Sequence, residues 1–266
     1  MPALVQYSVD GATATITLDS PRNRNALSPQ LLAELGAAIR TALADPAVRV
    51  LVLSHTGPAF CSGIDLTATR AAGGGPLPVT ALPELLAAVW ESPKPVVARV
   101  GGAARAGGIG LIAACDVAVT AEEATFAFTE VRLGVVPGVI SVTVLPRLLP
   151  RAAHELFLTG EVFDGRRAAQ IGLVNSAVPD AQIDTEVTRY VDLLLRGAPG
   201  ALAATKDLLR RRPPAEPVAA QLAAMADLSA RHFAGDEARE GMAAFAEKRA
   251  PRWVTPQPGS TETTGP

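Results

Sequence analysis

Ala12–Leu18 (ATATITL) follows a glycine, alternates small and bulkier β-branched residues, and reads as a strand with one face buried. The period then lengthens. LLAELGAAIRTALA (31–44) repeats its apolar positions as a helix does, and Ser28-Pro29 supplies an N-cap and a first-turn proline ahead of it. Val48–Ser54, Pro95–Val100, Val117–Thr120 and Thr125–Phe128 read as further strands, with Gly57-Pro58 closing the first and Gly101-Gly102 the second. Strands alternating with helical segments predict an α/β layered core. From Asp180 the pattern is helical only, over 180–196, 201–211, 216–233 and 236–248. The Ala198-Pro199-Gly200 break therefore sets the expected division into a core domain, 1–198, and a C-terminal helical region, 199–252. A tail over 253–266, without apolar periodicity from Thr255 onward, is expected to be disordered, and the Gly- and Pro-rich stretch 71–78 to be a mobile loop.

Composition narrows the class. Hydrophobic residues make up 48% of the 266 and charged residues 19%, enough apolar surface to close a core, which excludes disorder for most of the chain. A formal charge of −2, from 24 basic and 26 acidic side chains without a basic run, argues against a nucleic-acid partner. The uncharged stretch 133–146 is short of the ~20 apolar residues of a membrane span and holds Pro137 and Pro146. MPALVQYSVDG at the start lacks the basic and apolar regions of a secretory signal. Cys61 and Cys115 form no disulfide framework, and no His/Cys group has zinc-ligand spacing, so a reducing, cytoplasmic location is expected. His55, His154 and His232 are scattered and read as structural.

Three segments could carry chemistry. Ala59-Phe60-Cys61-Ser62-Gly63-Ile64-Asp65-Leu66 follows a strand and a Gly-Pro break, and its small residues let backbone amides face a ligand. Cys61 has no histidine nearby in sequence and reads as a buried structural thiol rather than a nucleophile. Gly101–Leu111 (GGAARAGGIGL) joins a strand end to an apolar helical run. A helix opening on Gly107-Gly108 offers unpaired amides and a positive dipole end to an anion, or the glycines merely allow close packing. The spacing is neither GxGxxG nor a phosphate loop. In Phe126–Gly138 (FAFTEVRLGVVPG) one carboxylate, Glu130, lies between apolar stretches. Burial there would raise its pKa toward that of a neutral-pH acid/base, although spacing alone favours an ion pair with Arg132 or Arg105.

Together with Asn25-Ala26-Leu27-Ser28, KPVVARVGGAARAGGIGLIAACD (94–116), ELFLTGEVFDGRRAAQIGLVNSAVP (155–179) and FAEKRAPRW (245–253), these strings resemble the crotonase, or enoyl-CoA hydratase/isomerase, superfamily over Val9–Trp253. The resemblance implies a crotonase-like spiral core of ββα units, with a C-terminal helical region that forms homotrimers or hexamers. It also implies an acyl-CoA thioester as substrate, with coenzyme A part of that substrate and no separate cofactor.

In this family two backbone amides stabilise a thioester enolate, and the matching positions here are Ile64 and Gly107. Preorganised N–H groups, one of them at a helix N-terminus, suit charge developing on a thioester oxygen. The resemblance assigns acid/base work to Glu130 and acyl-CoA contacts to Arg22, Arg24, Ala26, Ser62, Gly63, Asp65, Leu66, Gly108, Pro137, Gly138, Phe245 and Lys248. Hydratases of the family carry a second glutamate three residues beyond the Gly107 position, and this chain has Gly110 there. It also reads Val139-Ile140-Ser141 where many members have a small Gly-rich turn. Both departures, together with Thr129-Glu130-Val131-Arg132, resemble bacterial 3-methylglutaconyl-CoA hydratases. The reading is syn hydration of a 2-enoyl-CoA by one carboxylate. Isomerisation of a 3-enoyl-CoA by the same residue, or acyl-CoA binding without turnover, remains open. Glu84 and Glu91 are the candidates for a recruited second acid.

Overall fold

The computed structural model describes residues 2–65, 81–210 and 235–254. The chain divides into two units between Asp192 and Leu193. In the first, β1 (Val5–Asp10) and β2 (Thr13–Leu18) form an antiparallel hairpin. β1 adds to the expected strands; Val5, Tyr7 and Val9 alternate with polar residues, yet Tyr7 and Val9 stay exposed. β2 shows the burial its pattern predicts, with Ala14, Ile16 and Leu18 inside. It pairs in parallel with β3 (Val50–His55), followed by β5 (Val96–Val100), β7 (Val117–Ala121) and β10 (Ser176–Val178), giving a sheet ordered β1-β2-β3-β5-β7-β10. All six positions of β3 are buried, as in a parallel strand covered on both faces.

A second sheet, ordered β4-β6-β8-β9, consists of β4 (Ala59–Cys61), β6 (Ala103–Arg105), β8 (Thr125–Ala127) and β9 (Phe163–Asp164). The first three run parallel, and β9 returns antiparallel. The short β4, β6 and β9, like β10 in the first sheet, add to the expected strands; β8, equally short, lies where Thr125–Phe128 reads as one. Successive pairs β3–β4, β5–β6 and β7–β8 each contribute one strand to each sheet, the spiral of ββα units that the resemblance implies.

Helices α1 (Pro29–Ala44), α2 (Ala81–Trp90), α3 (Gly107–Ala114), α4 (Gly138–Val144), α5 (Pro150–Thr159), α6 (Gly165–Gln170) and α7 (Ile183–Leu195) follow in order. The expected cap of α1 is present, with Ser28 Oγ accepting from the Leu31 N–H at 3.2 Å. Arg147 closes the other end of α3. Its guanidinium donates to the carbonyls of Ala113 and Cys115 and stacks over Trp90, 4.7 Å from the ring centre.

His55 ends β3 almost fully buried, edge-on to Phe60, and its Nε2 accepts from the Gly101 N–H at 2.9 Å. That bond requires the neutral ring, and burial holds the pKa of His55 below its usual value. A group depressed in this way contributes stability above about pH 6.5, lost as pH falls through the lower folded value. The urea midpoint is therefore expected to drop between pH 7 and 5. His55→Gln keeps an acceptor for Gly101 without a titrating ring and should flatten the slope by at most about 1.4 kcal/mol per pH unit; identical slopes would remove His55 from the pH response.

In the second unit, α8 (Pro199–Arg210) and α9 (Asp236–Ala246) are joined by charge. The Glu237 carboxylate accepts from the N–H groups of Gly200 (2.8 Å) and Ala201 (3.0 Å), neutralising the positive end of α8. Glu240 is buried and holds Arg249 and the Arg252 N–H, partners that bring its carboxyl down to about 2. Trp253 Nε1 donates to Arg196 O at 2.9 Å. The helix expected over 216–233, the stretch 71–78 and residues 255–266 lie outside the described residues. No helix among the described residues is long and apolar enough to cross a membrane.

Candidate active site

Because β4, β6 and β8 are neighbours and parallel, their C-terminal ends lie along one edge of the second sheet, where ligands bind in open α/β folds. β4 runs out into Ser62-Gly63-Ile64, β6 into Ala106-Gly107, and β8 into Phe128-Thr129-Glu130. The topology thus delivers all three candidate segments to one place.

The first two meet at van der Waals distance. Gly63, at φ +90°, approaches so closely that a Cβ built on it would stand 3.2 Å from Ala106 Cβ and 3.5 Å from Arg105 O. The residues preceding the two candidate amides are therefore in contact. Leu27 joins the segments. Its backbone bridges Ile64, donating to Gly63 O (2.8 Å) and accepting from Asp65 (3.4 Å), and its Cδ1 would stand 2.8 Å from a Cβ at Gly107. Neither the Ile64 N–H nor the Gly107 N–H finds an acceptor among the described residues. Gly107 opens α3 as its first residue, where an N–H has no intrahelical partner.

Ala106 makes that orientation possible at a conformational cost. Its φ of 47° and ψ of −117° lie in a region that residues with a side chain rarely adopt, and such a residue costs on the order of 1–3 kcal/mol. The strain sits immediately before the Gly107 amide. Gly108 is needed for a different reason, since a Cβ there would be 2.6 Å from Cys61 Cβ. Cys61 is wholly buried, with burial pushing its thiol up to about 12, and is a packing residue as expected.

Glu130 begins a short 3₁₀ turn, Glu130–Leu133. Phe126 and Phe128, both fully buried, anchor the strand that leads to it, stacking with Phe163 (5.6 Å from Phe126) and Phe157 (4.3 Å from Phe128). One carboxylate oxygen, Oε2, is buried without a hydrogen-bond partner among the described residues, and desolvation raises the pKa of Glu130. The ion pair favoured by spacing is not formed. Arg105 donates instead to Ala104 O, Thr125 O and Thr125 Oγ1, and Arg132 Nε to Thr159 O at 3.1 Å.

Around this edge, Asn25 clamps the 20–26 loop. Buried and at φ 54°, it accepts from the Ser20 N–H (2.7 Å) and donates to Thr56 O (3.1 Å) and Ala59 O (2.8 Å). The Asn25-Ala26-Leu27 motif is therefore a structural clamp under the loop, with Ala26 buried in it, a role that its residue types alone did not announce. Arg22 and Arg24 are exposed, and Arg24 O accepts from the Ser62 N–H at 3.0 Å, which seats Arg24 beside the 62–65 segment. Pro137 and Gly138 form the turn that starts α4. Glu84 and Glu91 are exposed, whereas Leu82 of α2 is buried and approaches Gly107. Lys248 follows the end of α9 at φ 53°, exposed, and belongs to the second unit. Leu66 and the Phe245 side chain lie outside what the structure describes. A cavity of about 250 Å³ between Pro58, Gly102, Thr125 and Asp180 opens at the opposite ends of β6 and β8 and contains none of the candidate residues.

A spiral of ββα units with this sheet edge defines a crotonase-fold protein, and the comparisons agree. Residues 9–256 match the enoyl-CoA hydratase/isomerase family, and the chain belongs to it. It is similar to the crystal structure of an enoyl-CoA hydratase from Mycobacterium avium, at 46% identity and TM-score 0.68 over 95% of this chain and 100% of that one. An enoyl-CoA hydratase structure from Mycobacterium smegmatis matches at 33% identity and TM-score 0.86, over 95% and 99% of the two chains. Carnitinyl-CoA dehydratase of Salmonella typhi is 34% identical over 255 residues, 92% of this chain and 95% of the relative.

Proposed function

We propose that the protein hydrates a 2-enoyl-CoA, with the Ile64 and Gly107 amides holding the thioester oxygen and Glu130 as the acid/base. One observation carries the reading: three adjacent parallel strands end together, two in N–H groups without acceptors among the described residues and one in a carboxylate whose Oε2 is buried with no hydrogen-bond partner among them. Ionised Glu130 takes a proton from water as the water oxygen bonds to the β carbon. The double-bond electrons move through the α carbon onto the thioester oxygen, where the two amides stabilise the negative charge. Glu130 then returns its proton to the α carbon on the same face, and the thioester carbonyl re-forms. One water is consumed, and nothing is oxidised or reduced.

The names of the relatives above share a CoA-linked acyl group and the addition or removal of water, which supports the same class. The likeness of Gly110 and Val139-Ile140-Ser141 to 3-methylglutaconyl-CoA hydratases supports a branched acyl chain as the finer substrate. Gly110 also supports a second reading, isomerisation of a 3-enoyl-CoA, because moving a proton between two carbons on one face needs only one base.

Incubation with a short 2-enoyl-CoA separates the readings. Loss of the conjugated thioester absorbance is expected for hydration. Growth of that absorbance from a 3-enoyl-CoA would establish isomerisation instead, and thermal stabilisation by either ester with no spectral change would reduce the protein to a binder.

A further inference from the structure

The position of the absent second glutamate is not an empty space. Gly110 is fully enclosed in α3, and a Cβ added there would stand 2.7 Å from Ile140 Cγ2 and 3.1 Å from Ile140 Cβ. Both are atoms at the branch of a β-branched side chain, with little freedom to retreat. Ile140 is itself buried, on α4, and Thr143 of the same helix donates from Oγ1 to Gly110 O at 3.0 Å, fixing the two helices at this point. The two departures from the family pattern, 30 residues apart in sequence, are thus one contact.

We propose that Ile140 takes the place of the missing carboxylate and holds the site to a single acid: Gly110 and Ile140 are a coupled pair that closes one wall of the reaction centre with hydrocarbon. The proposal rests on the site reading above, because Gly110 lies one helical turn from the Gly107 amide. It adds a specificity-determining residue, Ile140. With methyl groups in place of a carboxylate on that wall, no group there can hold or deprotonate a water. All proton traffic then passes through Glu130, and the acyl chain meets an apolar surface opposite it.

Two measurements test this. Gly110→Ala is made in the native chain and in Ile140→Ala. An added methyl is expected to overpack the native contact and lower Tm by roughly 3–10 °C. In the Ile140→Ala background the same methyl fills the space left behind and should raise Tm. Equal shifts in the two backgrounds would overturn the coupling, and this arm needs no substrate.

The second compares the pH dependence of kcat/KM in the native protein and in the Gly110→Glu/Ile140→Gly variant. The native profile is expected to show one essential carboxylate. The variant should gain a second ionisation and at least about tenfold in hydration rate. An unchanged profile in a variant of intact Tm would overturn the assignment of position 110 to the reaction centre. Failure of the native protein to act on any enoyl-CoA would instead sink the hydration reading and leave the Tm result standing.

Discussion

Glu130→Gln is expected to reduce hydration by about 10²–10⁴-fold, the contribution typical of a positioned acid/base, and at the same time to make the ligand-free protein more stable at neutral pH. The two effects share one cause. Glu130 Oε2 is buried without a hydrogen-bond donor among the described residues, so ionising the group in the folded state costs free energy, and its pKa rises. A raised carboxyl pKa means that the folded state holds the proton more tightly than the unfolded chain. The penalty on folding is absent below the ordinary value of about 4.5, grows as pH climbs toward the folded value, and is complete above it. An amide carries no charge to desolvate. Thermal melts from pH 4 to 8 should therefore show the variant gaining over the native protein as pH rises, with the two converging at the acid end. The acid limb of native kcat/KM should lie above the usual carboxylate range for the same reason. Unaltered turnover in Glu130→Gln would remove Glu130 from the chemistry, and a variant that loses stability with rising pH would contradict the burial argument.

The second large effect concerns a backbone group. Ile64→Pro deletes one N–H, and that N–H donates to nothing among the described residues, whereas the bridge to Leu27 runs through Gly63 O and the Asp65 N–H. Proline should thus spare the bridge, while the donor aimed at the thioester oxygen is replaced by a ring CH2 that points the same way. Loss of one such donor is expected to lower kcat by about 10²–10³-fold. Ile64→Val, which keeps the amide, should stay near native rates, so the pair separates an effect of the N–H from one of the side chain. Circular dichroism and Tm report whether the proline variant retains its fold. A folded Ile64→Pro protein with native kcat would show that the amide takes no part.

Much of the frame was legible because it is written in local chemistry. The Ser28-Pro29 cap set the start of α1, and the β-branched runs set β2, β3, β5 and β7. The glycines at 63, 107 and 108 marked turns and close approaches. Other features depend on partners distant in the chain. β4 and β6 are three residues each, and only their pairing makes them strands. The unusual backbone of Ala106 has no signature in its residue type. The clamp by Asn25 and the contact of Gly110 with Ile140 join segments tens of residues apart. For Glu130 the nearby cations misled: Arg132 stands two residues away and Arg105 on the neighbouring candidate segment, but Thr159 and Thr125 take their donors.

Residue order alone settled the longer strands β2, β3, β5 and β7, the start of α1, which turns need glycine, and which carboxylate stands among apolar neighbours, because each follows from the torsional and hydrophobic preferences of a few consecutive residues. Tertiary structure alone decided that the two amides lack acceptors among the described residues, that Oε2 of the half-buried Glu130 is enclosed there without a hydrogen-bond partner, and that Ile140 fills the space beside Gly110. Hydrogen-bond competition, desolvation and steric exclusion are set by whichever atoms the fold brings alongside.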